Sequence, residues 1–218
     1  FSLRATCHGA LLSSALLLVG CNILGAAAAK MPKPDIDAAY KGMAGQKVGV
    51  MVWADRTLRL DWPSLQIDLG NSLEKKIKDA QRNEQEEFIG TTFPNPAVSY
   101  VRYQMEHPEI EGQPITEVAA KLGVTRLIYV EVIDLTTRPE GSIGMFRGDA
   151  EASMKVVEVE GGRAKIAYED NGITAEFPRT SPKEGTPRGN DRMMYVGVID
   201  SLTTQMAVRF FKHPDLSD

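Results

Sequence analysis

An α+β fold, a mainly antiparallel sheet of about four to five strands with helices packed on it, is what this sequence predicts. Three observations carry the prediction. In residues 126–135, Leu127, Ile128, Tyr129, Val130, Val132 and Ile133 leave neither face polar, as in an interior strand. Ala150, Ala152, Met154 and Val156 alternate with Glu151, Ser153 and Lys155. After Gly161-Gly162 the alternation resumes through Ala164, Ile166 and Tyr168, so residues 147–177 read as an antiparallel hairpin with one face on the core. Finally, Leu65, Leu69, Leu73 and Ile77, and again Met194, Val198, Leu202, Met206 and Phe210, recur at spacing four, the apolar stripe of a helix laid on a sheet. The expected order is β-α-(β)-α-α-β-β-β-α.

Near its start the chain carries Arg4, an apolar core over residues 9–20, and the run Leu18-Val19-Gly20-Cys21. A positive flank, an apolar core nearer a dozen residues than the roughly 20 of a membrane span, and a small residue at the end are the layout of an export signal. Leu-Val-Gly-Cys resembles the lipobox of bacterial lipoproteins. That resemblance implies removal of residues 1–20 and a diacylglycerol on the thiol of Cys21, with acyl chains such as palmitate holding the mature chain in a membrane. Asn22, where retention at the inner membrane usually has Asp, implies the outer membrane of a Gram-negative cell, periplasmic face. Secretion with cleavage in Ala26-Ala27-Ala28-Ala29 is the alternative.

Residues 21–46 carry the alanine run, Met31-Pro32-Lys33-Pro34, Gly42 and Gly45 without a sustained period, and read as a flexible tether. The folded domain is expected over 47–213, with 214–218 a tail. Lys47-Val48-Gly49-Val50-Met51-Val52-Trp53 reads as a first, central strand. Asp61 before Trp62-Pro63 suits the N-cap of the Leu65–Ile77 stripe helix. Glu87-Phe88-Ile89 suits a short edge strand, and a helix is expected from Pro96 to His107, where Pro108 stops it. A further helix spans 114–123, with Thr116 or a neighbour as its cap and Gly123 in the left-handed position after it. Residues 178–190 are loop by composition, Asn190 or Asp191 caps the last helix, and Pro214 ends it.

The opening Lys-Val-Gly-Val-Met-Val strand, the later Leu-Gly-Val-Thr-Arg-Leu-Ile-Tyr-Val-Glu-Val segment and the hairpin from Val157 to Gly162 resemble a periplasmic class over residues 46–212. The class includes lipoprotein activators of penicillin-binding proteins, the curli secretion-channel lipoprotein and the amino-terminal domain of TolB. It implies a non-enzymatic accessory or regulator of secretion-complex assembly or of peptidoglycan synthesis. The curli channel's long membrane-spanning strands have no counterpart here, so pore formation is not implied.

Charge and chemistry narrow the choice of function. The 218-residue chain has net charge −4, and losing Arg4 with the signal makes the mature form one unit more negative, a balance that gives nucleic-acid binding no support. Both cysteines are accounted for: Cys7 leaves with the signal and Cys21 is acylated, so the mature domain has no thiol for a disulfide or a metal. His107 and His213, each before a proline, read as helix-end residues, and no His-x-x-x-His or Glu-x-x-His spacing points to a metal. No cofactor is expected. No Gly-x-Ser-x-Gly elbow appears. Glu86-Glu87 and Glu131 with Asp134 are the carboxylate pairs a glycan hydrolase would draw on. A small-ligand binding module is the other alternative. The expected partner contacts are in loops 138–148 and 178–190, at Phe146, Arg147, Arg179, Lys183 and Arg188.

Overall fold

The computed structural model describes residues 35–215. Cys21, the signal at 1–20 and most of the tether lie outside them. The chain divides into a unit of Phe1–Ile36 with Pro214–Asp218, and a second unit, Asp37–His213, that carries the fold. Asp35–Ile36 (β1) and His213–Pro214 (β6) form a separate two-stranded sheet.

The main sheet has four strands in the order β2-β3-β4-β5: Val48–Ala54, Arg126–Thr136, Gly148–Glu160 and Arg163–Phe177. β3, β4 and β5 run antiparallel, and β2 lies parallel to β3. The α+β class is therefore as the sequence predicts, but β2 is an edge strand, not a central one. Its apolar run needs cover on its two faces rather than neighbours on its two edges. Its free edge is occupied by a short parallel contact, in which the Val48 N–H donates to Thr92 O at 2.8 Å and the Thr92 N–H to Gln46 O at 2.9 Å.

Two helices cover one face of the sheet. Leu65–Arg82 (α2) buries Leu65, Leu69, Leu73 and Ile77, and Asp191–Ala207 (α5) buries Met194, Val198, Leu202 and Met206. The α2 stripe and, from α5, Val198, Leu202 and Met206 lie in one core with Val50, Val52, Ile128, Val130, Met154 and Val156. A hydroxyl contact between Ser72 and Thr203 (2.9 Å) and the Lys76–Asp200 ion pair (2.6 Å) join α2 to α5. Gly197 lets α5 approach β5, because an added Cβ there would overlap the Phe177 ring. On the other face Ala97–Glu106 (α3), the 3-10 turn Pro108–Gly112 and Ile115–Ala119 (α4) cover a second core of Met51, Tyr100, Ile110, Val118, Leu127 and Val157.

Several boundaries differ from the sequence expectation. The compact unit opens at Asp37 rather than Lys47, because Tyr40 and Met43 bury their side chains in the core. The Tyr40 hydroxyl donates to Glu158 (2.9 Å), and Arg126 Nε donates to Gly42 O (3.0 Å). Asp55, not Asp61, is the capping aspartate: its Oδ1 accepts from the Leu58 N–H (2.8 Å) at the head of Arg56–Asp61 (α1), and Ser64 stands before α2. Residues 86–88 form a 3-10 turn that plants Phe88 in the core instead of a strand. Pro114, without a side-chain hydrogen bond, precedes α4, so Thr116 is not its cap. The last helix ends at Ala207 and passes through a 3-10 turn, well before Pro214, and His213 is buried in β6 rather than at a helix end.

The hairpin glycines have φ of 56° at Gly161 and 77° at Gly162, the left-handed pair that a two-residue turn between twisted strands requires. Asn190 caps α5, its Oδ1 accepting from the Met193 N–H at 2.9 Å. Two register shifts matter. One in β5, opposite Val156 and Val157, separates exposed Ile166 from Tyr168, which packs on the main core, so the two do not share a face. The other, at Ile133 in β3, puts Glu131 and Asp134 on the same face, opposite Val132 and Leu135.

Candidate functional site

Loops 138–148 and 178–190 meet at the N-terminus of α5, and they do so through internal pairs. The Phe146 N–H donates to Thr186 O (2.8 Å) and the Thr186 N–H to Phe146 O (2.9 Å), one antiparallel bridge between the two loops. Arg138 grips Asp191 with both arms of its guanidinium, at 2.8 and 2.6 Å, and the Thr137 hydroxyl donates to the same carboxylate at 2.8 Å. Those bonds to Arg138 and Thr137 hold the Asp191 carboxyl down at about 2. The Arg138 guanidinium also lies 4.9 Å from the centre of the Phe146 ring.

Arg147 works from within. Its side chain is 8% exposed and bridges Asp149 (3.0 Å) and Glu176 (2.6 Å), which face each other across β4 and β5. Its Nη1 donates to Ser181 O (3.4 Å), tying loop 178–190 to the end of the hairpin. Phe146 and Arg147 thus build the ledge rather than project from it. Arg179, Lys183 and Arg188 are exposed, as is Arg192 in the first turn of α5. None of these four side chains makes an ion pair or hydrogen bond among the described residues. Ile143, at 97% exposure, stands out of the first loop, and Met193 is exposed on α5. The ledge is therefore an ordered platform carrying unpaired cations and apolar tips.

Recesses among the described residues went unread in the sequence, and two of them bear on function. A groove of about 540 Å³ runs between α2 and α5, where Trp62 and Tyr195 stack with ring centres 5.0 Å apart. The Tyr195 hydroxyl donates to Asp68 (2.8 Å), which also accepts from Ser64 (2.6 Å). The signal was there: Trp62 and Tyr195 each sit just beside an apolar stripe. The second recess, of about 300 Å³, lies on the open part of the sheet face over Trp53, Tyr129 and Glu131. Of the remaining carboxylates, Glu86 and Asp134 are exposed and Glu87 is half-buried. His107 Nδ1 lies 3.0 Å from Glu109, and among the described residues no group of three or more His, Cys, Asp or Glu could hold a metal. No described helix is long and apolar enough to cross a membrane.

No family model matches the chain, and no curated protein matches it. Among solved structures it is similar to the hypothetical protein CT253 of Chlamydia trachomatis, 14% identical over 74% of this chain and 96% of that one, with a TM-score of 0.41. Lipoprotein GNA1162 of Neisseria meningitidis is 13% identical over 73% of this chain and 95% of that one, TM-score 0.41. A PelC dodecamer of Paraburkholderia phytofirmans is 8% identical over 83% and 95%, TM-score 0.38.

Proposed function

We propose that this chain is a lipoprotein anchored through Cys21 in the outer membrane, facing the periplasm, and that Asp37–His213 is a non-catalytic docking module for an envelope protein. The finer role is that of an accessory or regulator of secretion-complex assembly or of peptidoglycan synthesis, as the resemblance over residues 46–212 implies. Anchoring is supported by the Arg4-to-Cys21 pattern. Docking is carried by the ledge, where a buried Arg147, a two-armed Arg138–Asp191 pair and the Phe146–Thr186 bridge hold otherwise irregular loops in one shape. Preformed loops bind without a large ordering cost. Exposed, unpaired Arg179, Lys183 and Arg188 suit an acidic partner rim, where charge sets encounter rate and specificity.

The test reverses those charges together. Arg179→Glu with Lys183→Glu and Arg188→Glu is expected to lower recovery of the co-purifying envelope protein by about tenfold or more, at low salt. Being surface substitutions away from packed groups, they should change stability by only about 0.5 kcal/mol each and leave membrane anchoring intact. Equal recovery with wild type and variant would remove the ledge as the docking face.

A further inference from the structure

We infer that the recess on the sheet face is a binding site for a small organic ammonium cation. The fold creates it by incomplete cover. α3, the turn Pro108–Gly112 and α4 close over the face near Leu127 and Val157, but leave it open at the carboxyl end of edge strand β2 and beside the middle of β3. At about 300 Å³ the recess has the size of a small-molecule site.

Its floor is fixed by strand register. Met51 pairs with Tyr129 and Trp53 with Glu131, while Tyr129 lies opposite Lys155 on β4. The wall is fixed by a glutamine relay: Gln104 donates to Val52 O (2.9 Å) and accepts from Gln66 (3.0 Å), so its amide is already committed. Ile110, Ile115 and Val118 supply apolar wall. Two aromatic side chains and an aliphatic wall would accept a hydrocarbon body, and aromatic π-faces attract a cation.

The charges select the sign. Three ionisable carboxylate or ammonium groups line the recess: Glu111, Glu131 and Lys155. Lys155 is taken by Glu169 at 3.3 Å, and Glu111 shares Arg59 at 3.3 Å. Glu131 has no ion pair or hydrogen bond among the described residues. Burial first, then the charges of Glu131 and Glu111, push the Tyr129 phenol well above its usual range, so both carboxylates act on this ring. An anion would be repelled here, and a neutral apolar guest would strip water from Glu131 without replacing it. A bare metal ion wants several oxygen or nitrogen ligands converging, which the one unpaired carboxylate does not provide. A soft cation with apolar substituents satisfies the carboxylate and the aromatic side chains together. This site is independent of the docking reading.

The test is calorimetric titration of the full-length chain in detergent with choline, and in parallel with its neutral isostere, carbon in place of the ammonium nitrogen. Saturable binding of choline and none of the isostere is expected. Glu131→Gln and, separately, Trp53→Leu should each weaken choline binding by about tenfold, with circular dichroism and thermal midpoint unchanged in Glu131→Gln. Absence of saturable choline binding, equal binding of the isostere, or undiminished binding by folded Glu131→Gln would each overturn the assignment.

Discussion

Cys21→Ala is expected to move the protein from the membrane fraction to the soluble periplasmic fraction almost completely. The expectation follows from what else could hold it. Among the described residues no helix is long and apolar enough to span a bilayer. Acyl chains contribute about 0.8 kcal/mol per buried CH₂, and a single chain binds only marginally, so the two chains of a diacylglycerol make the difference between transient and stable attachment. Removing the thiol removes both. Fractionation of cells carrying the variant, with incorporation of labelled palmitate as a second readout, checks it. Wild-type retention of the variant in membranes would contradict the anchor.

Arg147→Met is expected to cost about 2–3 kcal/mol and to loosen the ledge. The arginine side chain is 8% exposed and stands between Asp149 and Glu176, which lie opposite each other on β4 and β5. Methionine fills much of the volume but leaves two carboxylates facing across the strands and Ser181 O without its donor. Breaking a fully buried pair costs about 3–5 kcal/mol. The carboxylates here are 39% and 53% exposed and recover some water, which sets the lower figure. For a domain of this size the midpoint should fall by roughly 4–12 °C, at about 2–4 °C per kcal/mol. Adding Glu176→Gln should return part of the loss by relieving the carboxylate repulsion. Thermal unfolding of the two variants measures both effects; a midpoint unchanged in Arg147→Met would mean the buried arginine does not hold the ledge.

What could be read in advance was what repeats locally. Gly161-Gly162 with alternation on both sides specifies its hairpin within a few residues, and Met194 to Phe210 specifies a buried helical stripe; both are as expected. Arrangement across the sheet was not legible, because an all-apolar strand such as β2 looks the same at a covered edge as at the centre. Tyr40 and Met43 were hidden for a different reason. Two apolar residues in a stretch of Ala, Pro and Gly have no period, and distant residues give that stretch its shape, among them Glu158, Arg126 and Thr91, whose hydroxyl donates to Met43 O. The candidate site divides the same way. Composition located the two loops, but whether an arginine in them points in or out depends on carboxylates of the hairpin, so exposed Arg179 and buried Arg147 read alike. In the sheet-face recess, Trp53 and Glu131 become neighbours only through the parallel register of β2 and β3.

The central claim is that the ledge meets an envelope protein while the chain is held at the membrane. It is tested most directly by in-cell photo-crosslinking from single positions. A photoreactive residue at Lys183, in the ledge, should give one dominant adduct with an envelope protein after membranes are solubilised. The same residue at Met105, exposed on α3 over the other face of the sheet, should not. No adduct from position 183, adducts only with a second copy of this chain, or the same adduct from both positions would contradict the account.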